Sequence, residues 1–190
     1  YGIDRWQDLF NQRQKLVIVT FSEKIRGLYD RVRDDCVEYL GGVLQGPAMH
    51  RISPDDLAHS VLGYLTAMLG RLLDYCSTLC VWVSNGEFMA HTFGRQALPM
   101  IWDYFEVNPF SGSTGDWSSA MGWVLRYIQA NPAAGYERSQ IELASANNLP
   151  FPDGFFDAVL TDPPYYNSVP YADLSDFFYV WQKRTIGGFF

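Results

Sequence analysis

Asp162, Pro163, Pro164 and Tyr165 stand in an order that suits one kind of chemistry. An exocyclic amino group on a nucleic-acid base is a poor nucleophile, because its lone pair is delocalised into the ring. An ionised Asp162 offers only acceptors and takes one hydrogen bond from such a group, while the Pro163 carbonyl takes the other. Both acceptors favour the nitrogen as it pyramidalises toward a methyl donor. The two prolines fix φ and remove two backbone donors, so no N–H competes for those acceptors. Tyr165 supplies a flat face on which a flipped base stacks.

Position matters as much as residue type. Phe155, Phe156, Ala158, Val159 and Leu160 form a nearly continuous apolar run into Thr161. That pattern predicts a strand buried on both faces of a parallel α/β sheet, with the tetrapeptide at its carboxyl end, where open α/β sheets bind their ligands. A strand ending in a Pro-Pro turn with an aromatic plug is the plainer alternative.

The elements ahead of the motif read as mostly helical. Phe21, Ile25, Leu28, Val32, Cys36, Tyr39 and Leu40 recur at helical spacing up to Gly41-Gly42. Arg13, Lys15, Lys24, Arg26, Arg31 and Arg33 cluster in that region. With Glu23, Asp30, Asp34 and Asp35 interleaved, a solvated face is favoured there over a DNA-facing strip. Ser53-Pro54-Asp55-Asp56 is a helix start, followed by a stripe of Leu57, Val61, Leu65, Leu69, Leu72, Cys76 and Leu79. Asn85-Gly86 marks a turn. Residues 93–107 look helical again, with Leu98, Ile101, Trp102 and Phe105 on one side. Residues 117–130 form a further helix, capped by Asp116 or Ser118 and closed by Asn131-Pro132. Residues 136–144 read as a strand, 145–154 as a loop and 170–184 as a helix with Leu174, Phe177, Phe178 and Trp181 inward. On that helix Tyr171, Asp173 and Ser175 are secondary candidates for the base pocket, with core packing favoured for all three.

Composition limits the function classes. A net charge of −7, with a pI near 4.8, is the wrong sign for a stand-alone nucleic-acid binder, since phosphate contacts supply most non-specific affinity. A catalytic pocket in an acidic piece remains compatible with DNA gripped by another region. The 48% hydrophobic and 16% aromatic content is high for a small soluble domain, and fits a portion whose surfaces meet other segments. No run reaches 18 apolar residues and no amino-terminal signal is visible, so a cytoplasmic location with reduced thiols is expected. Cys36, Cys76 and Cys80 contain no C-x-x-C pair. Cys76 and Cys80 could share a helical face, but the scattered His50, His59 and His91 add little to a metal reading.

The tetrapeptide resembles the catalytic motif of S-adenosylmethionine-dependent amino-methyltransferases of the adenine-N6 and cytosine-N4 type. Residues 145–165, S-A-N-N-L-P-F-P-D-G-F-F-D-A-V-L-T-D-P-P-Y, resemble the wider methyltransferase pattern G-D-A-x-x-L-P-F-x-D-x-x-F-D-x-V. With 91–113 and 162–181 added, the chain is similar to the large prokaryotic adenine-specific DNA methylases that contain a zinc-ribbon region. The resemblance implies a partial class I, Rossmann-like α/β fold over 131–190, preceded by a mainly helical region over 1–130. It implies S-adenosylmethionine as cofactor, adenine in DNA as substrate and a catalytic role for Asp162, Pro163, Pro164 and Tyr165. Tyr166 and Asn167 would line the base pocket. Ser145, standing where many relatives carry an acid beside the cofactor's adenine, would contact the cofactor with Asn147. Residues 108–115, N-P-F-S-G-S-T-G, look like the family's D-P-F-x-G-S-G cofactor loop, but with Asn108 in place of the acid and displaced glycines, an ordinary connector is favoured. On this reading the chain is a central-to-late portion of a longer protein, inactive alone, reaching DNA through other segments of the same polypeptide. Cytosine-N4 or guanine-N2 (RNA) methylation, and a non-catalytic helical interaction module, are the alternatives.

Overall fold

The computed structural model describes residues 2–43, 53–94, 98–131, 140–163, 165–166 and 168–189. Within them the chain forms a 3-10 turn (Trp6–Leu9), then α1 (Gln12–Arg26), α2 (Tyr29–Val43), α3 (Pro54–Asp74), β1 (Trp82–Val83), β2 (Phe88–Met89), α4 (Trp117–Ala130) and α5 (Tyr171–Ile186). β1 and β2 pair antiparallel, with Trp82 opposite Met89 and Val83 opposite Phe88. No parallel sheet exists among the described residues, so the expected Rossmann-like α/β architecture is overturned. None of these helices is long and apolar enough to cross a membrane.

Caps explain where the helices begin. Asn11 Oδ1 accepts from Gln14 N while Gln14 Oε1 accepts from Asn11 N, a reciprocal capping box that starts α1. The segment read as one helix through 21–40 is two. Gly27 N bonds Glu23 O at 2.9 Å, Leu28 N turns back to Ile25 O at 3.1 Å, and Val32 N restarts the ladder on Leu28 O. Gly41-Gly42 lies within α2 rather than ending it. The α3 start is where the sequence places it, with Pro54 at the first position and Ser53 Oγ accepting from Asp56 N at 3.0 Å. Helix α4 begins on Asp116 and spans the expected residues.

The core lies where α1, α3 and α5 meet. Leu9, Phe10, Ile18, Ile25, Leu69, Leu72, Leu73, Phe177 and Trp181 are buried together. Phe177 is its centre: the ring packs edge-on to Trp6, Phe93 and Phe178, and stacks on Phe10 at 5.7 Å. A buried hydroxyl pair, Ser22 Oγ and Thr185 Oγ1 at 2.9 Å, ties α1 to α5. Thr185 also donates to Trp181 O, so Ser22 is the donor in that pair. Arg13 spans from α1 to Glu106, with Nη2 2.6 Å from Oε1, and Asn11 Nδ2 donates to the same oxygen at 2.7 Å.

Three further expectations fail, each for a local reason. Residues 98–107 form no helix; Phe105 N instead donates to Cys80 O at 2.8 Å, laying this stretch beside the segment that leads into β1, and Trp102 is exposed to solvent. Cys76 and Cys80 follow the end of α3 in successive turns and share no helical face, although both are buried. Residues 140–144 and 155–160 are not strands. They pair with no strand of the described residues, and their apolar side chains stand in solvent. Residues 136–139 of the first expected strand lie outside the described residues.

Candidate functional site

Around the tetrapeptide, Asp162, Pro163, Tyr165 and Tyr166 are all exposed, with the Tyr165 ring 85% accessible. No described group hydrogen-bonds the Asp162 carboxylate, so both of its oxygens are available as acceptors. The Tyr165 carbonyl accepts from Ser168 N at 3.3 Å, a turn that leads into α5. Pro170 precedes the helix as its cap residue, without a side-chain bond. Pro164 and Asn167 lie outside the described residues. Tyr171, Asp173 and Ser175, favoured as core, are exposed; Ser175 Oγ donates to Ala172 O at 2.9 Å along α5 itself.

Ser145 and Asn147 sit in a small turn. Asn148 N donates to Ser145 O at 3.0 Å, and Asn147 N donates to Ser145 Oγ at 3.3 Å. Phe151, Phe155 and Phe156 cluster by their rings, with centroids 4.9 to 5.1 Å apart. No hydrogen bond or ring contact among the described residues joins the 145–147 turn to Asp162 or Tyr165.

The loop at 108–115 has its polar groups engaged internally. Asn108 Oδ1 accepts from Phe110 N. Asp116, buried, takes Gly112 N on Oδ2 and Ser119 N on Oδ1, each at 2.7 Å. A carboxylate from the chain itself thus fills the start of α4, where a ligand's anionic group would bind. Gly115 has φ +87°, and a Cβ there would lie 3.0 Å from the Tyr75 side chain, so only glycine suits the position.

Two clusters carry no sequence signature. Asp74, at the end of α3, holds His91 with Oδ2 2.6 Å from Nδ1, and Tyr75 Oη lies 3.1 Å from the other ring nitrogen. With Nδ1–H donating to the carboxylate, Nε2 accepts from the tyrosine hydroxyl. Burial pushes the Tyr75 phenol up, so the hydroxyl is a hydrogen-bond donor rather than a nucleophile. The arrangement fastens the segment after β2 to the end of α3. The second cluster stacks Arg71 and Arg126 over Trp123, at 5.0 and 4.7 Å from the ring. Neither was legible in advance, because Asp74 and His91 lie 17 positions apart and Arg71 and Trp123 lie 52 apart. Cys76 is inert as a nucleophile: burial pushes its thiol up to about 12.

Cavities of about 290 and 520 Å³ open beside the hairpin and the 98–104 stretch. They are lined by Leu79, Pro99, Met100 and Ile101, and in the smaller one by His91. Neither includes Ser145, Asn147 or any residue of 162–166. Comparison with protein-family models, with curated proteins and with solved structures finds no match for this chain.

Proposed function

We propose that this chain carries the amino-group acceptor motif of a DNA methyltransferase acting on the N6 nitrogen of adenine. The observation that carries the reading is the run Asp162-Pro163-Pro164-Tyr165, whose described carboxylate and ring are exposed and engaged by no hydrogen bond or ring contact from another described residue. Asp162 and the Pro163 carbonyl accept the two amino hydrogens, and Tyr165 stacks the extruded base. Holding the nitrogen in this way favours its lone pair as it turns toward an electrophilic methyl carbon. S-adenosylmethionine is the methyl source that the family resemblance implies. The role proposed here for Asp162, Pro163 and Tyr165 is confined to the acceptor side. Phosphate contacts fall outside 140–182, where no Lys or Arg occurs. Cytosine-N4 is the nearest alternative substrate, and guanine-N2 in RNA the next.

The test is methyl transfer from labelled S-adenosylmethionine to duplex DNA by the full-length protein, with adenine, cytosine and RNA substrates side by side. Asp162→Ala is expected to lower turnover by about a hundredfold with the helical circular dichroism intact. Tyr165→Ala is expected to weaken base capture by about tenfold. Unchanged transfer in the Asp162 variant contradicts the assignment.

A further inference from the structure

We infer that residues 140–160 are a docking surface for a protein partner presenting an open strand edge within an apolar surface rimmed by lysine and arginine. The inference is independent of the methyl-transfer reading. It begins with an imbalance. Ile141, Leu143, Val159 and Leu160 stand in solvent, with Leu160 97% and Ile141 92% accessible, and Phe155 and Phe156 are about half exposed. A segment this apolar lacks the composition that keeps chains disordered, and so many apolar side chains exposed along one stretch of chain mark an interaction surface.

The backbone specifies what kind of surface. Inside 140–163 the described backbone–backbone bonds are Asn148 N to Ser145 O and Phe155 N to Pro152 O. The amides and carbonyls of 140–144 and 156–160 thus have no backbone partners among the described residues. Burying their side chains removes these groups from water, so the occupant must supply donors and acceptors of its own. A strand edge does so along its whole length, and the alternation Ile141, Glu142, Leu143 suits pairing with one face buried.

Charge selects among occupants. From 140 to 182 the chain carries Glu142, Asp153, Asp157, Asp162, Asp173 and Asp176 and no Lys, Arg or His. A nucleic acid is repelled by such a surface, and a second copy would bring the same acids against themselves. A basic rim on the partner complements them.

Hydrogen exchange on the intact chain, read by mass spectrometry, tests this with three probes. These are a peptide of alternating valine and lysine, its valine–glutamate counterpart and duplex DNA. The lysine peptide is expected to protect 141–143 and 156–160, binding at least about tenfold more tightly than the glutamate peptide. Glu142→Lys with Asp157→Lys should reverse that preference. Ile141→Ser with Leu143→Ser and Leu160→Ser should abolish protection while leaving α3 and α5 protected, since these side chains are exposed. Equal protection by both peptides overturns the inference. So does stronger protection by DNA, protection that grows with chain concentration alone, no protection by the lysine peptide, or binding that survives the serine variant.

Discussion

Phe177 and Phe155 are the same residue in opposite circumstances. Phe177 is fully buried among Phe10, Phe93, Phe178 and Trp6, on a helix whose opposite face is solvated. Among the described residues Phe155 touches only Phe151 and Phe156 by its ring, and it remains half exposed in a stretch that pairs with no described strand. The contrast extends to their neighbourhoods. Around Phe177 every helix has a capped start or a packed face, whereas 140–163 has apolar side chains without a surface to cover them. Hydrophobicity alone marks a need for burial; the location of that burial depends on what else the chain supplies.

Substitutions can break that comparison. Phe177→Ala is expected to cost about 3–5 kcal/mol, against less than about 1 kcal/mol for Phe155→Ala, measured by denaturant unfolding at unchanged slope. Equal losses would show that 151–156 belongs to the core. Asp116→Ala removes two charge-assisted bonds at the start of α4 and is expected to cost about 2 kcal/mol. A double-mutant cycle on Ser22→Ala and Thr185→Val should return about 1 kcal/mol of coupling between α1 and α5, because the pair is buried.

The smallest effect concerns pH. Hydrogen bonding from Arg13 holds the Glu106 carboxyl below its ordinary value of 4.5, and a bond from Asn11 adds to this against the opposing effect of burial. A carboxyl lowered on folding contributes stability that is present above 4.5 and is lost as pH falls through the folded value. A pH series of unfolding midpoints should therefore show a small loss below pH 4.5 that is absent in Glu106→Gln and reduced by salt. A loss of equal size in the variant would assign it to another group.

Much of the helical part was legible because its signals are local. Ser53-Pro54, Asp116 and the Leu174, Phe177, Phe178, Trp181 spacing act over one or two turns, and α3, α4 and α5 follow them. The break between α1 and α2 was not legible, since apolar spacing runs unbroken past Gly27. Residues 98–107 have helical spacing but no cap, and Pro99 removes a donor near their start. The run 155–160 shows the limit of periodicity most clearly: six residues that fit a doubly buried strand are exposed when no strands flank them. The acceptor motif was readable as residue types in order.

Native-state hydrogen exchange on the chain alone tests the contrast most directly. Amides of α3 and α5 should exchange only through global opening, and those of 140–144 and 156–162 at nearly the rates of an unstructured peptide. Protection at 156–160 comparable to that of α3 would mean that this stretch is buried and paired after all, and would contradict the account.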